Sequence, residues 1–288
     1  MPSVDRLSLG WRSHLIFPRF DAEVVERPGY ILVRTPHNPT FWWGNCLLFD
    51  HAPRDGDAAP WLAAFDAEIA QRQPESRHLA FGVDTRDALV MPPDFAALGL
   101  RAYSSTVLTM TRDGLRSARR DIGDGYRIRP LRLPDEAGIA AELQVAADID
   151  GHEPVGYRVF RERQMLRYST LERAGLGHWF GVFAQPGTEG NDSRRERLVA
   201  DCGLFRDGFG PGALGRFQYV STHPEWRRRG LCSALIHAVC RHGFEAMGLA
   251  SLVILADPDY VAIGLYEALG FQRTGSNWHL ERRPPDPA

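Results

Sequence analysis

The chain has 288 residues, enough for one large or two ordinary domains, and its 44% hydrophobic and 24% charged residues are ordinary for a soluble globular protein. A formal charge of −2 gives no global attraction to nucleic acid or to an anionic membrane, so any anion binding must come from local clusters. All 34 residues counted as Lys or Arg are arginine, which excludes a Walker-A lysine, a kinase lysine and a pyridoxal Schiff base, because each needs an amine side chain.

The N-terminus (M-P-S-V-D-R-L-S-L-G-W-R-S-H) lacks the apolar core of a secretory signal, and no apolar run approaches a membrane span. A cytoplasmic location is therefore expected, with neither a membrane nor a nucleic acid as partner. Trp42 and Trp43 are expected in a strand, packing into two different cores rather than lining a pocket. Asn45 to Phe49 reads as an apolar strand, followed by D-H-A-P-R-D-G-D from Asp50 to Asp57. A second strand ends at Asp84, P-P-D-F-A-A-L-G-L follows at 92–100, and Thr106 to Met110 forms a further strand. Arg112 to Tyr126 is polar and glycine-containing, which suits a linker with its boundary near Gly123.

The second half opens with a short strand, Y-R-I-R-P-L-R, and a helix capped by Asp135 and running through Ala147. Arg158 to Leu171 reads as another helix, Trp179 to Ala184 and Leu198 to Phe205 as paired strands, and Arg216 to Thr222 as the next strand. Gly187 to Arg197 is a polar hairpin loop; its Asn191-Asp-Ser193 sequon has no secretory context. Gly210-Pro-Gly212-Ala-Leu-Gly215 spells a dinucleotide fingerprint but precedes a strand instead of a helix, so it is a hairpin turn. Cys46, Cys202, Cys232 and Cys240 include no C-x-x-C pair and are expected as packed thiols, with no metal site.

Tyr219 to Gly230 (Y-V-S-T-H-P-E-W-R-R-R-G) turns a β-branched run into an arginine-glycine loop, and from Leu231 the apolar residues recur three and four apart until Gly248. The first N–H groups of a helix have no intrahelical partner and carry the positive end of its dipole, while glycine allows close backbone approach. With Arg227, Arg228 and Arg229 beside them, a phosphate or pyrophosphate is the expected guest. A strand (Leu252 to Ala256), a helix and Gly270-Phe271 complete the series.

Arg227-x-x-Gly230-x-Cys232 followed by Asp259-x-x-Ala262-x-x-x-Tyr266-x-x-x-Gly270-Phe271 resembles the two signature segments of the GNAT superfamily of acyl-CoA-dependent N-acyltransferases, over about residues 126 to 283. The family usually has Gly or Ala in place of Cys232 and often Asn in place of Asp259. The resemblance implies an α/β fold of two GNAT-like halves, each a mixed, mostly antiparallel sheet flanked by helices. It divides the chain into a degenerate N-terminal domain at 1–115 and a catalytic domain at 124–283. It also implies acetyl-CoA as donor, held by the backbone of Val220, Ser221 and Thr222 through the pantetheine arm. Arg227, Arg228, Arg229, Gly230, Leu231, Cys232, Ser233 and Asp259 complete the donor site. Tyr266 stands where the family commonly places the acid that protonates the departing sulfur, against the plainer reading that it packs on Leu269 and Phe271.

Pro258 to Phe271 parallels Pro92 to Leu100, each after a strand ending in Asp, a weak internal match by itself. If the halves are duplicated, Asp50 to Asp57 falls where the second half has its arginines. Residues 1 to about 112 are then expected to bind no CoA and to pack against the catalytic half. The acceptor implied is a small-molecule primary amine, near the loop Ala146 to Tyr157, where Asp148, Asp150, His152 and Glu153 either hold a cation or form a solvated acidic loop. The base is not readable: Asp257 is favoured as a helix cap, and Asp201, Gln218 and Glu225 are other polar residues near the strands. A homodimer stays open. Alternatives are a non-catalytic acyl-CoA-binding regulator and a transferase using a longer acyl-CoA.

Overall fold

The computed structural model describes residues 2–190, 194–210 and 212–284, so the Asn191 sequon lies outside the described residues. In chain order the elements are α1 (Leu9–His14), α2 (Pro18–Asp21), β1 (Glu23–Arg27), β2 (Tyr30–Arg34), β3 (Cys46–Phe49), α3 (Ala58–Phe65), β4 (Leu79–Val83), α4 (Pro93–Ala97) and β5 (Arg101–Thr111). They continue as β6 (Tyr126–Pro130), α5 (Ala137–Ala146), α6 (Pro154–Arg173), β7 (Gly177–Ala184), β8 (Arg197–Arg206), β9 (Leu214–Thr222), α7 (Leu231–Glu245), β10 (Ser251–Ala256), α8 (Ala262–Leu269) and β11 (Gln272–Arg282).

These elements form two units that are not simple halves of the chain: residues 1–108, 255–260 and 273–288 make one, and 109–254 with 261–272 make the other. In the first, the strand order is β1-β2-β3-β4-β11-β5; β1, β2 and β3 run antiparallel, β3 pairs β4 in parallel, and β4 pairs β11 antiparallel. In the second, the order is β10-β9-β8-β7-β6, antiparallel except for β9 with β10. Both are thus mixed, mostly antiparallel sheets with helices, and the succession β3-α3-β4-α4-β5 recurs as β9-α7-β10-α8-β11.

Apolar patterning places the cores. In the first unit α3 buries Ala58, Trp61 and Phe65 against Phe49, Phe81 and Phe95, with Trp61 stacked on Phe49 at 3.5 Å between centroids. In the second, α7 buries Leu231, Leu235, Ile236, Val239, Cys240 and Phe244, the single face that its spacing predicts. All four cysteines are free thiols, and Cys46, Cys202 and Cys240 are buried.

Several local expectations change. Trp42 and Trp43 lie in a 3₁₀ turn, Trp42–Gly44, instead of a strand, and Trp43 packs edge-on to His279 at 4.4 Å. The turn is held by Asn45, whose Nδ2 donates to the carbonyls of Asn38 and Phe41. Helix α5 starts at Ala137, so Asp135 does not cap it. Glu136 occupies the cap position without capping and accepts from Arg129 and Arg132. Helix α6 begins four residues earlier than the spacing suggests, at Pro154, because Glu153 caps it through the N–H groups of Val155 and Gly156. The glycine-rich segment near Gly210 does connect the antiparallel strands β8 and β9, as a hairpin turn requires.

Candidate active site

Strands β9 and β10 pair only over Leu214–Arg216 with Ser251–Val253, yet β9 runs on to Thr222. Past Arg216 the two strands separate, leaving one edge of β9 without a ladder partner. The opposite edge stays paired to β8, with a register shift: Gly203 faces Gln218 but Asp201 faces Ser221, so Tyr219 and Val220 together oppose Cys202. Tyr219 pays for this bulge with a φ of 41°, a conformation unusual for a bulky residue and one that collects at functional sites. An unladdered edge at Val220–Thr222 offers backbone donors and acceptors to an extended ligand arm, the geometry of an added strand.

Beyond Thr222 a 3₁₀ turn, Pro224–Trp226, buries Trp226 and delivers the chain to the arginines. Arg228 (φ 63°) and Gly230 (φ 84°) are both left-handed, and Gly230 is the N-cap of α7, with no side chain capping the helix. The N–H groups of Leu231, Cys232 and Ser233 therefore open the helix with their hydrogen-bonding capacity unspent on any cap. The three arginines differ in task. Arg227 ties the loop to the strand end, donating from Nε to the Thr222 carbonyl at 3.2 Å and from Nη2 to the Ala147 carbonyl at 3.3 Å. Arg229 donates to the Glu189 carbonyl at 2.9 Å and covers Trp226 at 4.7 Å, while Arg228 is exposed. A fourth arginine, absent from the sequence expectation, joins them: Arg120 of the linker donates to the Arg228 carbonyl at 3.2 Å, and its stem would lie 3.1 Å from a Cβ at Gly230. Uncapped amides, positive φ and four arginines suit a pyrophosphate. Cys232 adds bulk, and burial pushes its thiol up to about 12.

Tyr266 is buried on α8, with its ring edge-on to Phe271 at 6.1 Å. The helix ends at Gly270 (φ 108°), where any Cβ would fall 1.9 Å from the Gly114 carbonyl oxygen; only glycine fits beneath the linker. Asp259 is exposed and belongs to the first unit, in the turn after β10. Asp257 does not cap α8, whose N-cap is Val261; its Oδ1 accepts from the Asp259 N–H at 2.9 Å.

A buried polar cluster backs the bulge. Asp201 is fully buried and accepts from Ser221 Oγ at 2.5 Å, Gln144 Nε2 at 2.6 Å and Trp179 Nε1 at 2.9 Å. Desolvation raises its carboxyl to about 6, against the lowering effect of those donors and of Arg161. Gln144 in turn accepts from Arg161 Nε at 2.6 Å, and Arg161 lies 3.7 Å over the Tyr219 ring. Sequence spacing did not single out this cluster as a unit, because its members come from α5, α6, β7, β8 and β9. The acidic loop is largely committed to itself: Asp148 accepts from the His152 N–H at 2.8 Å, and Glu153 is a helix cap. One ligand atom each from Asp148, Asp150 and His152 lies within 4.8 Å of the others, the sole metal-like group among the described residues. Glu225 is exposed and Gln218 half-buried on β9.

Residues 191–273 match the acetyltransferase (GNAT) domain family. No curated protein matches the sequence. Among solved structures, a functionally unknown conserved protein from Staphylococcus epidermidis is similar over 92% of this chain and 95% of its own, at 13% identity and a TM-score of 0.68. A GCN5-related N-acetyltransferase from Kribbella flavida aligns over 95% of this chain and 94% of its own, at 14% identity and a TM-score of 0.61. A tandem GNAT protein from the clavulanic acid biosynthesis pathway aligns over 84% and 76%, at 14% identity and a TM-score of 0.52.

Proposed function

We propose that this chain, which carries a GNAT acetyltransferase domain and has the fold of tandem GNAT proteins, transfers an acetyl group from acetyl-CoA to a primary amine of a small molecule. The observation that carries the reading is the separation of β9 from β10 beside an uncapped, arginine-rich helix start. One feature receives a pantetheine arm along Val220–Thr222, and the other receives the pyrophosphate at Arg227–Ser233. Asp259 is kept as a donor-site residue on its place in the signature segment alone.

The amine nitrogen attacks the thioester carbonyl carbon directly, within a ternary complex. The C–N bond forms, the C–S bond breaks with its electron pair moving to sulfur, the nitrogen releases its proton to solvent water, and the thiolate gains one from the Tyr266 phenol, which is reprotonated from solvent. Along the sequence, residues 1–115 and 124–283 are the degenerate and catalytic copies, although residues 255–260 and most of β11 belong to the first compact unit. The protein acts in the cytoplasm.

Release of free thiol from acetyl-CoA in the presence of a panel of small amines tests this directly. Turnover with at least one amine is expected. Tight acetyl-CoA binding with no turnover on any amine would replace the enzyme by an acyl-CoA-binding regulator, and faster turnover with longer acyl-CoAs would change the donor.

A further inference from the structure

Arg161 is 5% exposed, yet among the described residues no carboxylate hydrogen-bonds its guanidinium. Its guanidinium is positioned from two sides, by Gln144 Oε1 at Nε and by the Tyr219 ring at 3.7 Å, with the Phe160 and Tyr157 rings 5.9 and 6.0 Å away. Nη2 is buried and has no hydrogen-bond partner. A buried guanidinium normally spends its donors, because an unmet one costs the desolvation without a return. The carboxylate of Asp201 is reached only through Gln144, which separates the two charges by one amide.

The buried Tyr168 phenol, on the same helix, lies in the field of Arg161, Arg167 and Arg216, each of which favours its ionised form even though burial outweighs them. Arg216 is itself 9% exposed. The rings around Arg161 are less enclosed than Arg161 is: Tyr157, Phe160 and Tyr219 are all half-buried. Tyr157 and Tyr219 close over it through paired hydroxyls 3.0 Å apart. The cation therefore lies one side-chain layer below solvent, beneath the bulge that immediately precedes Val220.

We infer that Arg161 is the anchor for a carboxylate on the acceptor, so that the acceptor is a small amine that also bears a carboxylate, a compound of the amino-acid class. The planar fork of a guanidinium matches a carboxylate, and a carboxylate at Nη2 supplies the missing acceptor. The Tyr219 bulge links this anchor to the donor strand: the residue stacked on Arg161 is the one before Val220, where the thioester arm docks. A carboxylate held at Arg161 directs the neighbouring amine toward that strand edge. This rests on the acetyltransferase reading for the donor side, but its own evidence is the unspent donor of the buried guanidinium.

The test separates the two. Each of the common amino acids, and its carboxamide, is titrated calorimetrically into the full-length protein saturated with CoA. At least one free acid is expected to bind ten-fold or more tightly than its amide. Arg161→Gln should abolish that preference, and Arg161→Lys should retain part of it, with both variants melting near the parent temperature. Equal binding of acid and amide, no binding of any acid, or a preference that survives Arg161→Gln overturns the proposal. If CoA itself does not bind, the donor reading fails, and the same titrations without CoA still report on Arg161.

Discussion

The loop before α3 and the loop before α7 occupy the same place in the repeated β-loop-α-β-α-β succession, and they end in opposite states. Before α7 the helix start is uncapped and ringed by arginines, and β9 leaves β10. Before α3 the N–H groups of Gly56 and Ala58 donate to Asp94 Oδ2 at 3.0 and 3.2 Å, so the first unit's own carboxylate fills the position an anion would take. The strand gap is closed as well: β3 pairs β4 through Phe49 and Val83, and the Asp84 N–H continues the ladder to the Phe49 carbonyl at 2.8 Å. One framework thus ends either in an open, uncapped helix start or in a self-satisfied core, and on the proposed function the open one is the ligand site; the two differ by one carboxylate and by how far two parallel strands stay together.

The sharpest contrast between the two successions is at the glycine ending the second helix. Gly270→Ala forces a Cβ to within 1.9 Å of the Gly114 carbonyl at a φ of 108° and should cost about 4 kcal/mol or more, at the severe end for single substitutions. At the matching Gly99, with φ 72° and only Arg282 Cδ at 3.8 Å, alanine should cost about 1 kcal/mol. Denaturant melts of the two variants compare them, and equal losses would break the parallel.

Next in size is Tyr266→Phe. Loss of a proton donor typically costs on the order of 100-fold in rate, and the drop should appear in kcat with KM for acetyl-CoA unchanged. Unchanged turnover would leave Tyr266 as packing on Phe271.

How much of this was legible in the sequence follows from what each feature depends on. The strand, arginine loop and helix of Tyr219 to Gly248 are contiguous, so period and punctuation reveal them. Gly270 is legible as a motif glycine, but its reason, the Gly114 carbonyl 156 positions earlier in the chain, is visible only in three dimensions. The same holds for Asp94 capping the loop at Gly56, for Arg120 beside Gly230, and for the Asp201–Gln144–Arg161 cluster, each of which joins residues distant in sequence. Trp42-Trp43 misled because adjacent aromatics carry strand propensity, whereas Asn45 folds the backbone before them into a turn. Asp135 misled because Arg129 and Arg132 draw the neighbouring Glu136 into the cap position.

Asp201 sharpens the contrast at strand level, since β2 and β3 of the first unit carry no acidic residue. Its folded carboxyl, at about 6, lies above its unfolded value near 4, so the folded state holds the extra proton between those limits. Stability from this group is therefore lost as pH rises from about 4 to about 6 and is flat above. At about 1.4 kcal/mol per pKa unit the change is roughly 2–3 kcal/mol. Asp201→Asn should flatten stability across that window; an unaltered pH profile would remove the group from the account. The smallest expected effect is that of Asp94→Ala, which strips the carboxylate from Gly56 and Ala58. It should lower stability by about 1 kcal/mol and leave acetyl-CoA affinity unchanged.

The central claim, that one of two equivalent loops is the donor site, is tested most directly by titrating acetyl-CoA into the full chain and into an Arg229→Glu/Gly230→Asp variant. The account predicts one site per chain in the parent and no measurable binding in the variant, whose new carboxylates oppose the pyrophosphate at the helix start. Two sites per chain, or undiminished binding by the variant, would contradict it.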